Sequence, residues 1–189
     1  MHILQERKGT MGKIKVAGCE IEGVKIIEPE VLGDERGWFM EAWHEEDYER
    51  AGLACTFVQD NRSYSRKGVL RGLHFQKKYP QDKLLSVLRG EIFDVAVDIR
   101  EGSQTYGKWF GIRLSAENRK QLFIPKGMAH GYLVLSEEAE IFYKCSERYH
   151  PEDEGGICWN DEKIGIEWPI GEGAGILLSE RDKMWKGLE

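Results

Sequence analysis

The chain has little of what metal and redox centres are built from. Its 189 residues hold five His and four Cys, with no C-x-x-C or H-x-H pair anywhere. Two histidines without a clustered third ligand make a poor zinc or iron site, so no metal is expected. Four scattered cysteines in a chain of this length read as reduced thiols, not as a disulfide framework. There is no G-x-S-x-G elbow to support a serine nucleophile. No glycine-rich loop leads from a strand into a long helix, which excludes dinucleotide-binding and P-loop folds. Excess positive charge is also missing: the net charge is -6, whereas a nucleic-acid surface needs a basic face. No apolar run approaches the roughly 20 residues of a membrane span, and the first residues lack a signal peptide's apolar core. A soluble, cytoplasmic protein with neither nucleic-acid nor membrane partners is expected.

What the chain does have is period-two alternation punctuated by glycine. Spans 22–28, 38–43, 56–61, 84–88, 91–99, 108–114, 121–124, 131–135 and 140–145 suit strands, with Gly90, Gly102, Gly107 and Gly127 between them. Many short strands at this spacing predict an all-β sandwich or barrel. One short helix is expected over 44–51, halted at Gly52, and a helical turn near 179–184. Residues 1–12 read as a loose leader, with Met11 as a candidate alternative start, and 13–189 as one domain. Six Trp raise the aromatic share to 11%. Trp109 and Phe110 are expected in the core, while Trp38, Trp43, Trp159 and Trp168 suit core packing and a ligand wall equally.

His2, His44 and His150 lie in polar surroundings and are expected to be solvated. His74 and His130 are different: each lies in an apolar stretch beside glycine, in Gly72-Leu73-His74 and His130-Gly131. One such histidine is most simply a satisfied core residue. Two in like settings favour a shared pocket, because glycine lets a ligand or another backbone approach. Histidine is a base near pH 7 and works better with a carboxylate fixing its tautomer. Asp94, Asp98 and Asp182 are the candidate carboxylates, with Asp98 expected on a solvated face. An enolate formed by abstraction from carbon needs a nearby cation, and Lys83 is available. Tyr143, within a strand, suits a proton donor on the opposite side. Strict alternation puts Arg71 and His74 on opposite faces, so both reach one pocket only if Gly72 carries a bulge or the strand twists sharply.

The segments GDERGWFME (33–41), FVQDN (57–61), VLRGLHFQ (69–76), FDVAVDIR (93–100), LSAEN (114–118), IPKGMAHG (124–131), WND (159–161) and IGIEWP (164–169) occur in collinear order. In these the chain resembles the dTDP-4-dehydrorhamnose 3,5-epimerase family. The resemblance implies a double-stranded β-helix (jelly-roll, cupin-like) with a few short helices, working without a cofactor as a homodimer whose subunits exchange pocket residues. It implies inversion at C3 and C5 of dTDP-4-dehydro-6-deoxy-D-glucose, a step toward dTDP-L-rhamnose. Carried over, His74 resembles the general base, Asp182 its partner, Tyr143 the opposing acid and Lys83 the enolate stabiliser. Arg36, Arg71, Gln59, Asn61 and Tyr149 resemble nucleotide-sugar contacts, with His130 a further pocket residue and Asp94 a carboxylate behind it. Phe39 and Glu41 are implied to come from the partner subunit. Two other readings stay open: a single-centre epimerase or ketoisomerase on a related nucleotide sugar, and a non-catalytic sugar-binding jelly-roll module.

Overall fold

A computed structural model describes residues 14–171, 173 and 175–188. The expected leader, with His2 and Met11, lies outside the described residues. Thirteen strands and one α-helix are described: β1 (Ile14–Gly18), β2 (Lys25–Pro29), β3 (Val31–Asp34), β4 (Gly37–Met40), α1 (Glu45–Arg50), β5 (Gln59–Arg66), β6 (Leu70–Gln76), β7 (Lys83–Arg89), β8 (Glu91–Asp98), β9 (Trp109–Ser115), β10 (Gln121–Ile124), β11 (Met128–Val134), β12 (Glu138–Cys145) and β13 (Glu154–Gly156). A six-stranded sheet runs β1-β2-β10-β7-β12-β5 and a five-stranded sheet β13-β6-β11-β8-β9; β3 and β4 form a separate hairpin. The ladders are antiparallel, as in the expected cupin-like jelly roll. No helix is long and apolar enough to cross a membrane among the described residues.

Apolar side chains fall into three layers. Leu85, Val87, Leu122 and Ile141 of the six-stranded sheet meet Ile92, Ala96, Leu114 and Val134 of the five-stranded sheet. On the outer face of the five-stranded sheet, Leu73, Val95, Val97 and Leu133 pack against Ile157, Ile164 and Trp168. On the outer face of the six-stranded sheet, Ile27, Leu84 and Phe123 pack against Tyr48 of α1. Strand β8 is therefore buried on both faces, which explains its near-continuous apolar run. Its two aspartates share the inner face with Ile92 and Ala96.

Several expectations change in detail. Asp98 is not solvated: it is fully buried, taking bonds from Arg100 Nε (2.9 Å) and Nη2 (2.8 Å) and from the Ser103 (2.6 Å) and Thr105 (2.5 Å) hydroxyls. Burial pushes its carboxyl up, but those bonds overcome it and hold the group well below the usual carboxylate range. Strand β5 starts later and runs further than the expected 56–61, because its inward residues, Gln59, Asn61, Ser63 and Ser65, are polar and give no apolar signal. Strands β1, β3 and β13 are additions; β3 is exposed throughout and so lacks an alternating pattern. Trp168 belongs to the packed layer, its Nε1 donating to the Trp159 carbonyl at 2.8 Å. Trp43 packs on Tyr48 and Phe57, and Trp38 is exposed under the Arg119 guanidinium. His150 is half-buried and stacks on Tyr79 at 4.1 Å, so it is not simply solvated.

The decisive local feature is a bulge in β6. His130 of β11 pairs with His74, but Tyr132, two residues on, pairs with Arg71, three residues back. One extra residue on β6 turns Arg71 and His74 to the same inner face. Gly72 makes this possible: its φ is 135°, and a Cβ there would lie 2.5 Å from the Gly131 Cα. Glycine is thus required twice, for conformation and for space. Gly72→Ala is expected to destabilise the fold by about 2 kcal/mol or more, lowering the melting temperature by roughly 4–8 °C for a chain of this size. Thermal unfolding followed by circular dichroism checks this.

Candidate active site

The two sheets do not meet along their whole length. At one end polar residues face each other across a cavity of about 290 Å³. The six-stranded sheet contributes Gln59 and Asn61 from β5, Lys83 from β7 and Tyr143 from β12. The five-stranded sheet contributes His74 and Gln76 from β6 and Glu154 from β13, and Gln81 and Tyr149 complete the rim. The chain thus brings together six of the expected site residues: Gln59, Asn61, His74, Lys83, Tyr143 and Tyr149.

His74 is half-buried, and its Nε2 lies 2.5 Å from Asp182 Oδ1. Asp182 sits in a 3₁₀ turn (Asp182–Met184) and is itself buried. Its backbone N–H donates to Ser179 Oγ at 3.0 Å. Burial pushes the Asp182 carboxyl up, but the hydrogen bond and charge of His74, helped by Ser179 and Trp185, outweigh it and hold it below the ordinary range. An ionised Asp182 accepts from Nε2–H, which leaves Nδ1 as the basic nitrogen of a neutral ring.

Burial lowers the Lys83 pKa, opposed by Cys145 and Asp94, so the ammonium gives up its proton more readily than a surface lysine. Burial likewise pushes the Tyr143 phenol up to about 12, with Cys145 and Tyr132 adding and Arg71 opposing. At neutral pH Tyr143 is therefore a protonated donor. Tyr149 is held at the rim by its N–H to Gln59 Oε1 (2.9 Å) and its hydroxyl to Glu154 Oε2 (3.1 Å), and Arg181 pairs with the same carboxylate.

Other expected residues lie elsewhere. His130 is the cross-strand partner of His74, yet its ring does not line the cavity. It is buried, with Nε2 at 3.0 and 3.1 Å from the two Asp94 oxygens. Burial lowers its pKa and Asp94 opposes. It shares the inner face with His74 and is held by Asp94, and it does not line the cavity where the expectation put it. Arg71 donates to Ser65 Oγ at 3.1 Å and lines an adjoining cleft of about 520 Å³ that shares His74 and Asp182. Arg36 and Phe39 stand on the exposed β3–β4 hairpin, with Glu41 just beyond it, and none of the three lines the cavity of its own chain. Arg36 there forks onto Asp34. Sequence reasoning missed Gln76, Gln81 and Glu154. Alternation alone places Gln76 on the His74 face, whereas Gln81 and Glu154 lie on irregular backbone or a three-residue strand with no pattern to read. Among the described residues no three His, Cys, Asp or Glu side chains gather as a metal-holding group, and the four cysteines are free thiols.

The arrangement suits proton exchange at carbon. A carboxylate-fixed imidazole stands on one sheet, and a protonated phenol and a buried amine stand on the other. A carbon acid held between them meets a base on one face and a donor on the opposite face.

Comparison with known proteins bears on this geometry. The family model described as dTDP-4-dehydrorhamnose 3,5-epimerase matches residues 18–189. The dTDP-4-dehydrorhamnose 3,5-epimerase of Methanothermobacter thermautotrophicus is 54% identical over 178 residues, covering 94% of this chain and 96% of that protein. The Escherichia coli protein of the same name is 54% identical over 172 residues, covering 90% and 92%. Among solved structures, the dTDP-6-deoxy-D-glucose-3,5-epimerase of Legionella pneumophila in complex with dTDP-4-keto-L-rhamnose superposes with a TM-score of 0.89 at 51% identity, covering 92% of each chain.

An ordinary tyrosine, with a pKa near 10, is mostly ionised at about pH 11. Tyr143, pushed up to about 12, is expected to stay mostly protonated there, so the phenolate absorbance of the wild type should barely exceed that of Tyr143→Phe at about pH 11. An extra phenolate in the wild type would contradict the burial argument.

Proposed function

The chain belongs to the dTDP-4-dehydrorhamnose 3,5-epimerase family, and we propose that it converts dTDP-4-dehydro-6-deoxy-D-glucose to dTDP-4-dehydro-L-rhamnose in dTDP-L-rhamnose biosynthesis. The observation that carries the reading is the opposition of His74 and Tyr143 across one cavity, each from a different sheet.

The C4 ketone acidifies the hydrogens at C3 and C5. Neutral His74 takes one of these protons, and Asp182 stabilises the imidazolium that results. Negative charge moves to the C4 oxygen, where Lys83 stabilises the enolate; its low-dielectric setting strengthens that attraction. Tyr143 then delivers a proton to the opposite face, and exchange with solvent restores both groups. Reorientation of the sugar presents the second carbon to the same pair. Base, acid and cation together supply every proton and charge the reaction needs.

Arg71 and Arg36 suit the diphosphate, because guanidinium pairs bidentately with its oxygens. Gln59, Asn61 and Tyr149 line the approach. Arg36, Phe39 and Glu41 reach a cavity only if the β3–β4 hairpin enters a second subunit, so the enzyme works as a homodimer that exchanges this hairpin. Its exposed Leu32, Trp38 and Phe39 support that role. Residues 13–189 act as one jelly-roll domain in the cytoplasm.

The test is incubation of the protein with dTDP-4-dehydro-6-deoxy-D-glucose in deuterated water, read by NMR. The wild type should place deuterium at both C3 and C5. His74→Ala should lower exchange by about 10³-fold, while Tyr143→Phe should retain exchange but yield little doubly inverted product. Deuterium at one carbon alone would make it a single-centre epimerase, and tight binding without exchange would make it a sugar-binding module.

A further inference from the structure

The carboxylate that holds His74 does not come from the sheets. It rides on residues 175–188, which join no strand ladder beyond one isolated bridge. This segment is tied down at two places. Upstream, Leu177 bridges Val69 in parallel, with Leu70 N–H to the Leu177 carbonyl (3.0 Å) and Leu177 N–H to the Gly68 carbonyl (2.8 Å). Downstream, Cys158 N–H meets the Lys186 carbonyl (2.8 Å) and Leu188 N–H meets Asp161 Oδ2 (2.8 Å). Asp182 lies between the ties, three residues ahead of Trp185.

Trp185 sits where the segment meets the sheet. A Cβ on Gly156 would lie 2.2 Å from its indole atoms, so the ring rests directly on the Gly156 backbone. Gly156 is not among the glycines with positive φ. Its lack of a side chain therefore answers a need for space, and the indole takes that space. Gly156 is also the cross-strand partner of His74. The indole and imidazole centroids are 6.5 Å apart at 67°, an edge-on approach.

We propose that Trp185 is a positioning residue: seated on Gly156, it fixes the turn that holds the Asp182 carboxylate on His74. A tryptophan that merely closed the tail would leave the dyad indifferent to its removal. Here the seat, the dyad histidine and the turn form one connected unit, so tilting the ring displaces the carboxylate. The indole also belongs to the groups that favour ionised Asp182, after His74 and Ser179. A displacement of about 1 Å at a reacting group costs on the order of 100-fold in rate. The inference rests on the reading of His74 and Asp182 as the catalytic pair.

The test is a kinetic cycle on the full chain with dTDP-4-dehydro-6-deoxy-D-glucose, using Trp185→Ala, Trp185→Phe, Asp182→Asn and the Trp185→Ala/Asp182→Asn double variant. Trp185→Ala should lower kcat by about 100-fold with KM little changed. Trp185→Phe, which refills the seat, should recover most of that loss. The double variant should be no slower than Asp182→Asn, since the indole acts through the carboxylate. If Trp185→Ala does not fold, Gly156→Ala, which crowds the ring from the sheet side, should give the same kcat loss and the same non-additivity. Wild-type kcat in Trp185→Ala beside an impaired Asp182→Asn overturns this inference alone. Losses that multiply in the double variant, or that fall on KM only, also overturn it. A fully active Asp182→Asn enzyme overturns both this inference and the catalytic pair.

Discussion

Asp182 Oδ1 meets His74 Nε2 at 2.5 Å across 108 positions of sequence. With Asp182 ionised, this contact fixes the tautomer of an imidazole on a sheet wall. Its geometry depends on two separate pieces of backbone. The bulge at Gly72 aims His74 inward alongside Arg71, and the return of residues 175–188 brings the carboxylate to the ring from outside both sheets. Neither piece is dictated by the apolar core, yet each is anchored to it: the bulge through Gly131 contact, the segment through its bridge to Val69 and its ties at 158 and 161.

The cavity exists because the inner layer of the sandwich changes character along its length. Toward one end Leu85, Val87, Ile92 and Ile141 fill it with hydrocarbon. Toward the other, Gln59, Asn61, Lys83 and Tyr143 replace them, and the sheets enclose polar space. Burying polar groups is costly unless they are satisfied. The cost is met by local partners: Gln59 with Asn61 and Tyr149, and His130 with Asp94. The same desolvation moves the Lys83 and Tyr143 pKa values in opposite directions, keeping the phenol protonated and loosening the ammonium's hold on its proton. Local disagreement with an apolar core marks where function resides.

That disagreement is also what made part of the site legible. His74, Lys83 and Tyr143 each interrupt or adjoin an apolar alternating run, and all three line the cavity. Strands β7 to β12 were readable because their inner faces are apolar and glycines separate them; β5 was displaced because its inner face is polar. Asp182 was one of three aspartates that the residues alone left open, and only the family resemblance singled it out, since its placement depends on a long-range return of the chain. Asp98 misled because alternation registers a polar face without showing that Arg100, Ser103 and Thr105 lie folded over it. His130 was rightly grouped with His74, but whether a ring faces a cavity or a buried carboxylate depends on side-chain packing across strands. Glu154 and Gln81 had no periodic signal to betray them.

The central claim is that a sugar ring lies between the two sheets with its opposite faces toward His74 and Tyr143. A crystal structure of the protein with a non-reacting dTDP-hexose measures this directly. The account predicts the hexose in the cavity, its C3 or C5 hydrogen turned toward the His74 ring, its position-4 oxygen at Lys83 Nζ, and Tyr143 on the far face. A hexose outside the cavity, or one with His74 and Tyr143 on the same face, would contradict it.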